Sequence, residues 1–300
     1  MTTRDEFAAL VTEQRNPRSM SLDMMSTAEV VALINDEDAG VARALRAALP
    51  EIARAADLVA QRIRDGGRVF YVGSGTSGRI GWLDASEWTP TFGTKPHLVQ
   101  AVIAGGAGVP VEVASELEDD RTLGARSVDV MMVGERDVVI GIAASGRTPY
   151  VLGALEAARR LRAATVGISG NAGTPMAPLV DILIVAVVGP EVLTGSTRMK
   201  AGTAQKMILN MISTAAMVRL GKVYSNLMVD MRPANRKLLD RARRNVAEAA
   251  SVSPEAAAEA LEAAGGEVKH AIVMAALRCD LPTARRKLES AGGFVRKALE

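Results

Sequence analysis

Five short apolar runs, rich in β-branched residues and broken by few polar positions, limit the fold more than anything else in the chain. They are Arg68–Val72, Leu98–Ile103, Asp137–Ile142, Thr165–Ile168 and Ile182–Val188. Strands that are apolar on both faces need cover on both sides, and that cover recurs as helical spacing at 78–87, 109–119, 149–161 and, weakly, 173–180. The alternation predicts an α/β fold with a ~5-stranded parallel sheet between helical layers. Only 3% of residues are aromatic against 48% hydrophobic, so Ala, Val, Leu, Ile and Met must fill the core.

Upstream, Val41, Leu45, Leu49, Ile52, Ala56 and Ile63 mark a helix over 41–65 that Gly66-Gly67 ends. Residues 1–38 are polar and read as an arm or a pair of short helices. Downstream, a Met-rich helical pattern runs from Arg198 to about Gly221, its methionines suiting core filling. Ala-rich helices follow at 234–250, 254–264, 267–278 and 282–290, divided at Pro254, Gly265-Gly266 and Pro282. The expected division is an arm over 1–40, a central domain over 41–232 and a small helical module over 233–300.

Composition closes off several functions. Thirty-six basic against 34 acidic residues leave a charge of +2, too balanced to draw in nucleic acid or an anionic membrane. The lone Cys279 rules out an internal disulfide and a cysteine-rich zinc site. His97 and His270 stand far apart, which disfavours a histidine metal centre or a Ser-His-Asp triad, and each reads as structural. The opening Met1-Thr2-Thr3-Arg4-Asp5 has no apolar leader, and no run approaches ~20 apolar residues. A cytoplasmic protein is expected.

Three loops point to an anionic ligand. GSGTSGR (73–79) leaves the first strand and opens a helix, where glycine lets the backbone approach a ligand and the free N–H groups favour an anion. Ser74, Thr76 and Ser77 add hydroxyls. The loop also satisfies G-x-G-x-x-G, but the second strand ends in Val102-Ile103-Ala104-Gly105-Gly106 without the acidic residue a dinucleotide ribose needs. GIAASGRTPY (141–150) repeats the design after the third strand, with Ser145, Gly146 and Thr148 at the turn and Pro149 suited to a first helical position. Arg147 there is either a phosphate partner or a surface cation. GPEVLTGSTRMKAGTAQK (189–206) leaves the last strand, offering Thr194, Ser196 and Thr197 as donors (Ser196 or Thr197 also as a helix cap), Arg198 and Lys200 as cations and Glu191 for sugar hydroxyls. A phosphosugar is the simplest ligand for such loops.

Several stretches carry a specific resemblance: VTEQRNP (11–17), INDED (34–38), GSGTSGR, LDASE (83–87), GIAASGRTPY, VGPEVLTGSTRMKAGTAQK (188–206), GKVYSNLMVD (221–230) and GGFVRKALE (292–300). They resemble the N-acetylmuramic acid 6-phosphate etherases, members of the sugar isomerase (SIS) fold group. The resemblance implies a SIS-type αβα sandwich and a lyase that eliminates a D-lactyl ether and adds water, with no metal or organic cofactor. It implies a homodimer acting in cell-wall amino-sugar recycling. It places the acid that protonates the departing lactate at Glu87 and the base that takes the C2 proton at Glu118. Leu83 and Trp88 flank Glu87 in sequence, and apolar neighbours would raise its pKa toward use as a proton donor. Glu116, Asp119 and Asp120 crowd Glu118, and Trp88-Thr89 stands where the family has Cys-Pro. Two other functions fit the same scaffold: a non-catalytic sugar-phosphate regulator like the glucokinase regulatory protein, and an aldose–ketose isomerase.

Overall fold

A computed structural model describes residues 8–106, 108, 116–231, 233 and 235–300. Those residues divide into two compact units. The first comprises the chain up to Ala85 together with His97–Ile212, and the second joins Ser86–Pro96 to Ser213–Glu300.

The first unit opens with single 3₁₀ turns at Val11–Glu13, Pro17–Ser19 and Leu22–Met24, then α1 (Thr27–Asp38), whose Ser26 and Glu29 form a capping box. The helix expected over 41–65 is divided. α2 (Val41–Ala44) passes through a 3₁₀ turn at Leu45–Ala48 into α3 (Leu49–Arg64), which accepts Pro50 in its first turn. Gly66, at φ +83°, ends it.

Five parallel strands follow: β1 (Val69–Gly73), β2 (Val99–Ile103), β3 (Val138–Ala143), β4 (Ala164–Ser169) and β5 (Ile182–Val185), in the order β2-β1-β3-β4-β5. β1, β3 and β4 are buried along their whole length and the two edge strands only in part, which is why the central runs are so continuously apolar. α4 (Gly75–Phe92) joins β1 to β2, α5 (Arg121–Val130) precedes β3, and α6 (Pro149–Arg160) joins β3 to β4. Phe70, Val139, Tyr150, Val151 and Leu155 centre one core on β3 and α6.

Two further expectations change, and one helix is new. The weak helix at 173–180 is a single 3₁₀ turn, Ala177–Leu179, and β5 stops at Val185. α5 had no counterpart in the sequence reading because a glycine occupies its packing face. A Cβ at Gly124 would collide with the Tyr150 carbonyl, and one at Gly153 with that of Arg121, so α5 and α6 meet backbone to backbone where apolar periodicity would otherwise show. Of the helix expected at 109–119, residues 109–115 lie outside the described residues, and Glu116–Glu118 are helical.

α7 (Lys200–Arg219) leaves the first unit at Ile212. The second unit adds a small hairpin, β6 (Val223–Tyr224) with β7 (Leu227–Met228), that the sequence reading missed, its turn taking Ser225 to φ +52°. Helices α8 (Arg236–Ala250), α9 (Pro254–Ala263), α10 (Val268–Leu277), α11 (Leu281–Ser290) and the short α12 (Val295–Leu299) complete it. Its core is built from Val229, Val246, Leu261, Ile272 and Leu288.

Candidate active site

The chain leaves β1 to form β2 on one side, then crosses back to form β3 on the other. The carboxyl ends of β1 and β3, paired at Gly73 and Ile142, are therefore a topological switch point, where open parallel sheets hold ligands. Both glycine loops leave the sheet there.

At the first loop α4 starts at Gly75, φ +49°, immediately beyond the buried Ser74. Two glycines bring the helix against its own strand: a Cβ at Gly78 would lie 2.8 Å from the Gly73 carbonyl oxygen, and one at Gly81 2.9 Å from Tyr71 Cβ. Gly78 N–H donates to the Ser74 carbonyl at 3.0 Å. The first-turn amides of Gly75, Thr76 and Ser77 have no partner within the helix and form its positive end, with the Thr76 and Ser77 hydroxyls half-buried beside them.

The second loop turns at Gly146, φ +67°, whose N–H donates to the Ala143 carbonyl at 3.0 Å. Arg147 N–H donates to Ser145 Oγ at 3.1 Å, and the buried Thr148 leads into Pro149 at the first position of α6. Asn171, unmarked by the sequence reading, braces this turn. Its Nδ2 donates to the Ala144 carbonyl at 3.1 Å and to Thr12 Oγ1 at 3.2 Å, while its Oδ1 accepts Val11 N–H at 2.8 Å. The arm and the loop thus share one buried amide. Asn171→Ala should cost about 1–3 kcal/mol, read as a lower urea midpoint, because Val11 N–H and Thr12 Oγ1 lose that partner together.

The third cluster is organised from within. Glu191 is 1% exposed and accepts Lys200 N–H and Ala201 N–H at 3.0 and 2.9 Å, capping the start of α7 with both carboxylate oxygens. Burial raises its carboxyl pKa against the pull of those amides and of Lys200. The buried Lys200 ammonium pairs with Glu37. Glu37 also accepts Asn16 Nδ2 at 2.9 Å and the Arg18 guanidinium at 3.0 Å, and Asn16 reaches the Pro190 carbonyl at 3.1 Å. Burial works to raise the Glu37 carboxyl, but Lys200, Asn16 and Arg18 outweigh it and hold its pKa below the ordinary value. Glu191 and Lys200, expected to face a ligand, thus have their nearest partners inside the protein. Asn16 and Glu37 were missed as site residues, although both lie in the stretches 11–17 and 34–38 singled out above. Gly202 sets this helix start beside the first loop, since a Cβ there would lie 3.7 Å from Thr76 Cγ2. Ser196 is half-buried and its carbonyl accepts Met199 N–H.

The two glutamates fall in different units and are described separately. Glu118 is helical and half-buried, beside Leu117 on the core and just before Asp120, whose Oδ1 caps α5 at 2.8 Å from Leu123 N–H. Glu87 is exposed on α4, and the apolar enclosure expected from its sequence neighbours is absent. Leu83 is 41% exposed, whereas Trp88 is 1% exposed and meets Phe92 edge to face at 6.4 Å. One residue along a helix turns ~100°, so a buried Trp88 directs its neighbour outward. Among the described residues no group of three or more His, Cys, Asp or Glu is placed to hold a metal ion.

Comparison with known proteins decides the family. Over 268 residues, 89% of each chain, the sequence is 57% identical to an N-acetylmuramic acid 6-phosphate etherase of Symbiobacterium thermophilum. The chain belongs to the N-acetylmuramic acid 6-phosphate etherase family. The etherase of that name from Mycolicibacterium smegmatis is 50% identical over 98% of this chain and 99% of its own. Residues 115–215 match the SIS domain, and residues 51–159 match the glucokinase regulatory protein N-terminal SIS domain. In fold the chain is similar to a phosphoheptose isomerase from Francisella tularensis, with a TM-score of 0.53 at 18% identity over 65% of this chain and all of that one. The etherase family thus carries the SIS-type sandwich expected from the sequence.

Proposed function

We propose that the protein cleaves the D-lactyl ether of N-acetylmuramic acid 6-phosphate, giving N-acetylglucosamine 6-phosphate and D-lactate. The observation that carries this reading is the pair of hydroxyl-bearing helix starts at the β1/β3 switch point, in a chain with etherase relatives of 50–57% identity. The amides and hydroxyls of Ser74, Thr76 and Ser77, with Ser145, Arg147 and Thr148, are assigned to the 6-phosphate. Ser196 is assigned to the sugar, with Glu191 and Lys200 holding the third edge of the pocket. An ether oxygen is a poor leaving group, yet one β to the open-chain aldehyde departs once the C2 proton is taken. Glu118 takes that proton, Glu87 protonates the leaving oxygen, and water then adds at C3, so substrate plus water equals the two products without redox change.

Glu87 is exposed on the part of α4 that belongs to the second unit. In the first unit the apolar Trp82, 51% exposed, and Leu83 are left open to solvent. Both features favour a homodimer in which Glu87 serves the pocket of a second copy. No described helix is long and apolar enough to cross a membrane, and we assign the protein to cytoplasmic recycling of cell-wall amino sugars.

The test is incubation with N-acetylmuramic acid 6-phosphate in oxygen-18 water. D-lactate should appear unlabelled and the sugar product should carry the label on C3. Tight sugar-phosphate binding without lactate would instead indicate a regulator, and aldose–ketose interconversion an isomerase.

A further inference from the structure

The second unit carries an open-mouthed cavity of about 410 Å³ that the proposed reaction does not use. Its polar wall has an uneven charge count. A single carboxylate oxygen, Asp230 Oδ2, takes two ammonium groups, Lys269 at 2.7 Å and Lys222 at 3.0 Å. Glu267, the other acid of the lining, is mostly exposed and directs its carboxylate to His270 Nδ1 at 2.6 Å. Among the described residues, one ammonium charge on Asp230 is therefore left without a carboxylate of its own. The same wall carries the start of α10, where Glu267 supplies no side-chain cap, so the amides of Val268, Lys269 and His270 add the positive end of a helix. Burial lowers the Lys269 pKa, with Asp230 opposing and Lys222 adding to the fall, as expected of a cation short of counter-charge. Val229 and Met231 line the cavity as well, and its volume exceeds that of a lone ion and lies in the range of small-molecule pockets.

We propose that this cavity is a second binding site, taking a small organic anion with one carboxylate or phosphate group that settles against Lys222 and Lys269, its short body against Val229 and Met231. The inference stands on the second unit alone and does not need the etherase reading.

His270 lines the cavity and His97 is exposed and outside its lining, so histidine NMR of the full chain, assigned with His97→Gln, provides a reporter and a control. Titration with inorganic phosphate in one arm and acetate in the other should shift the His270 signal saturably and leave His97 still. Saturation by one anion only would identify which head group the site takes. Lys222→Met leaves Lys269 and Asp230 balanced and should weaken binding about tenfold, while Asp230→Asn leaves two ammoniums and should tighten it several-fold. A His270 signal that moves no more than that of His97 with either anion in the wild-type chain would overturn the proposal. So would two variants that bind as the wild type does.

Discussion

Glu87→Gln is expected to lower D-lactate release by roughly 10²–10⁴-fold while C2 proton exchange persists, because an amide cannot protonate the departing oxygen but the earlier deprotonation does not need it. Glu118→Gln should lose lactate release and exchange together. Deuterium uptake at C2, followed by NMR in D₂O beside a lactate assay, separates the two. Exchange retained by Glu118→Gln and lost by Glu87→Gln would reverse the roles, and unchanged lactate release in both would remove these residues from the chemistry. The pair also tests the proposed dimer. If one chain supplies Glu118 and its partner Glu87, equal mixing of the two inactive variants assembles one complete pocket in each mixed dimer and restores about a quarter of wild-type activity. If both come from one chain, mixing restores nothing.

Gly146→Ala should be the most damaging small substitution in the phosphate loops. The residue sits at φ +67°, where a side chain is strained, and its Cβ would lie 2.5 Å from Ser169 Oγ and 2.6 Å from Thr174 Cγ2. Ser169 and Thr174 are both buried. Backbone strain and overpacking together should cost about 2–5 kcal/mol in urea unfolding. Because the turn aims Ser145 and the Arg147 amide, the KM for the phosphosugar should rise more than tenfold, with kcat less affected. Gly75→Ala is the control. Its φ is also positive, +49°, but nothing lies within 4 Å of the added Cβ, so only strain of about 1 kcal/mol should appear. Equal losses in the two variants would show that crowding at Gly146 does not matter.

The sheet was legible because strands buried on both faces have almost no freedom in composition, so Val69–Gly73 and Val138–Ala143 announce themselves as apolar runs. The phosphate loops were legible because a backbone that must approach an anion needs glycine and hydroxyls at the ends of those runs. α5 was not, since Gly124 packs by having no side chain and leaves no periodic signal. The braces of the site were hidden for another reason. Asn16, Glu37 and Asn171 are ordinary polar residues whose partners lie as far off as Pro190, Lys200 and Val11, and no local pattern encodes such pairings. The surroundings of Glu87 were misread because sequence neighbours on a helix face different ways: Trp88 went inward and Glu87 outward.

The pairing of Lys200 with Glu37 gives the amino-terminal arm a duty its polar composition conceals. α1 is the counterion carrier for the start of α7, so deleting it would strand an ammonium in a place that water hardly reaches. Trimming the chain to its sheet and later helices would thus unsettle the very helix start that lies beside Thr76, and a minimal version of this protein has to begin before its first helix.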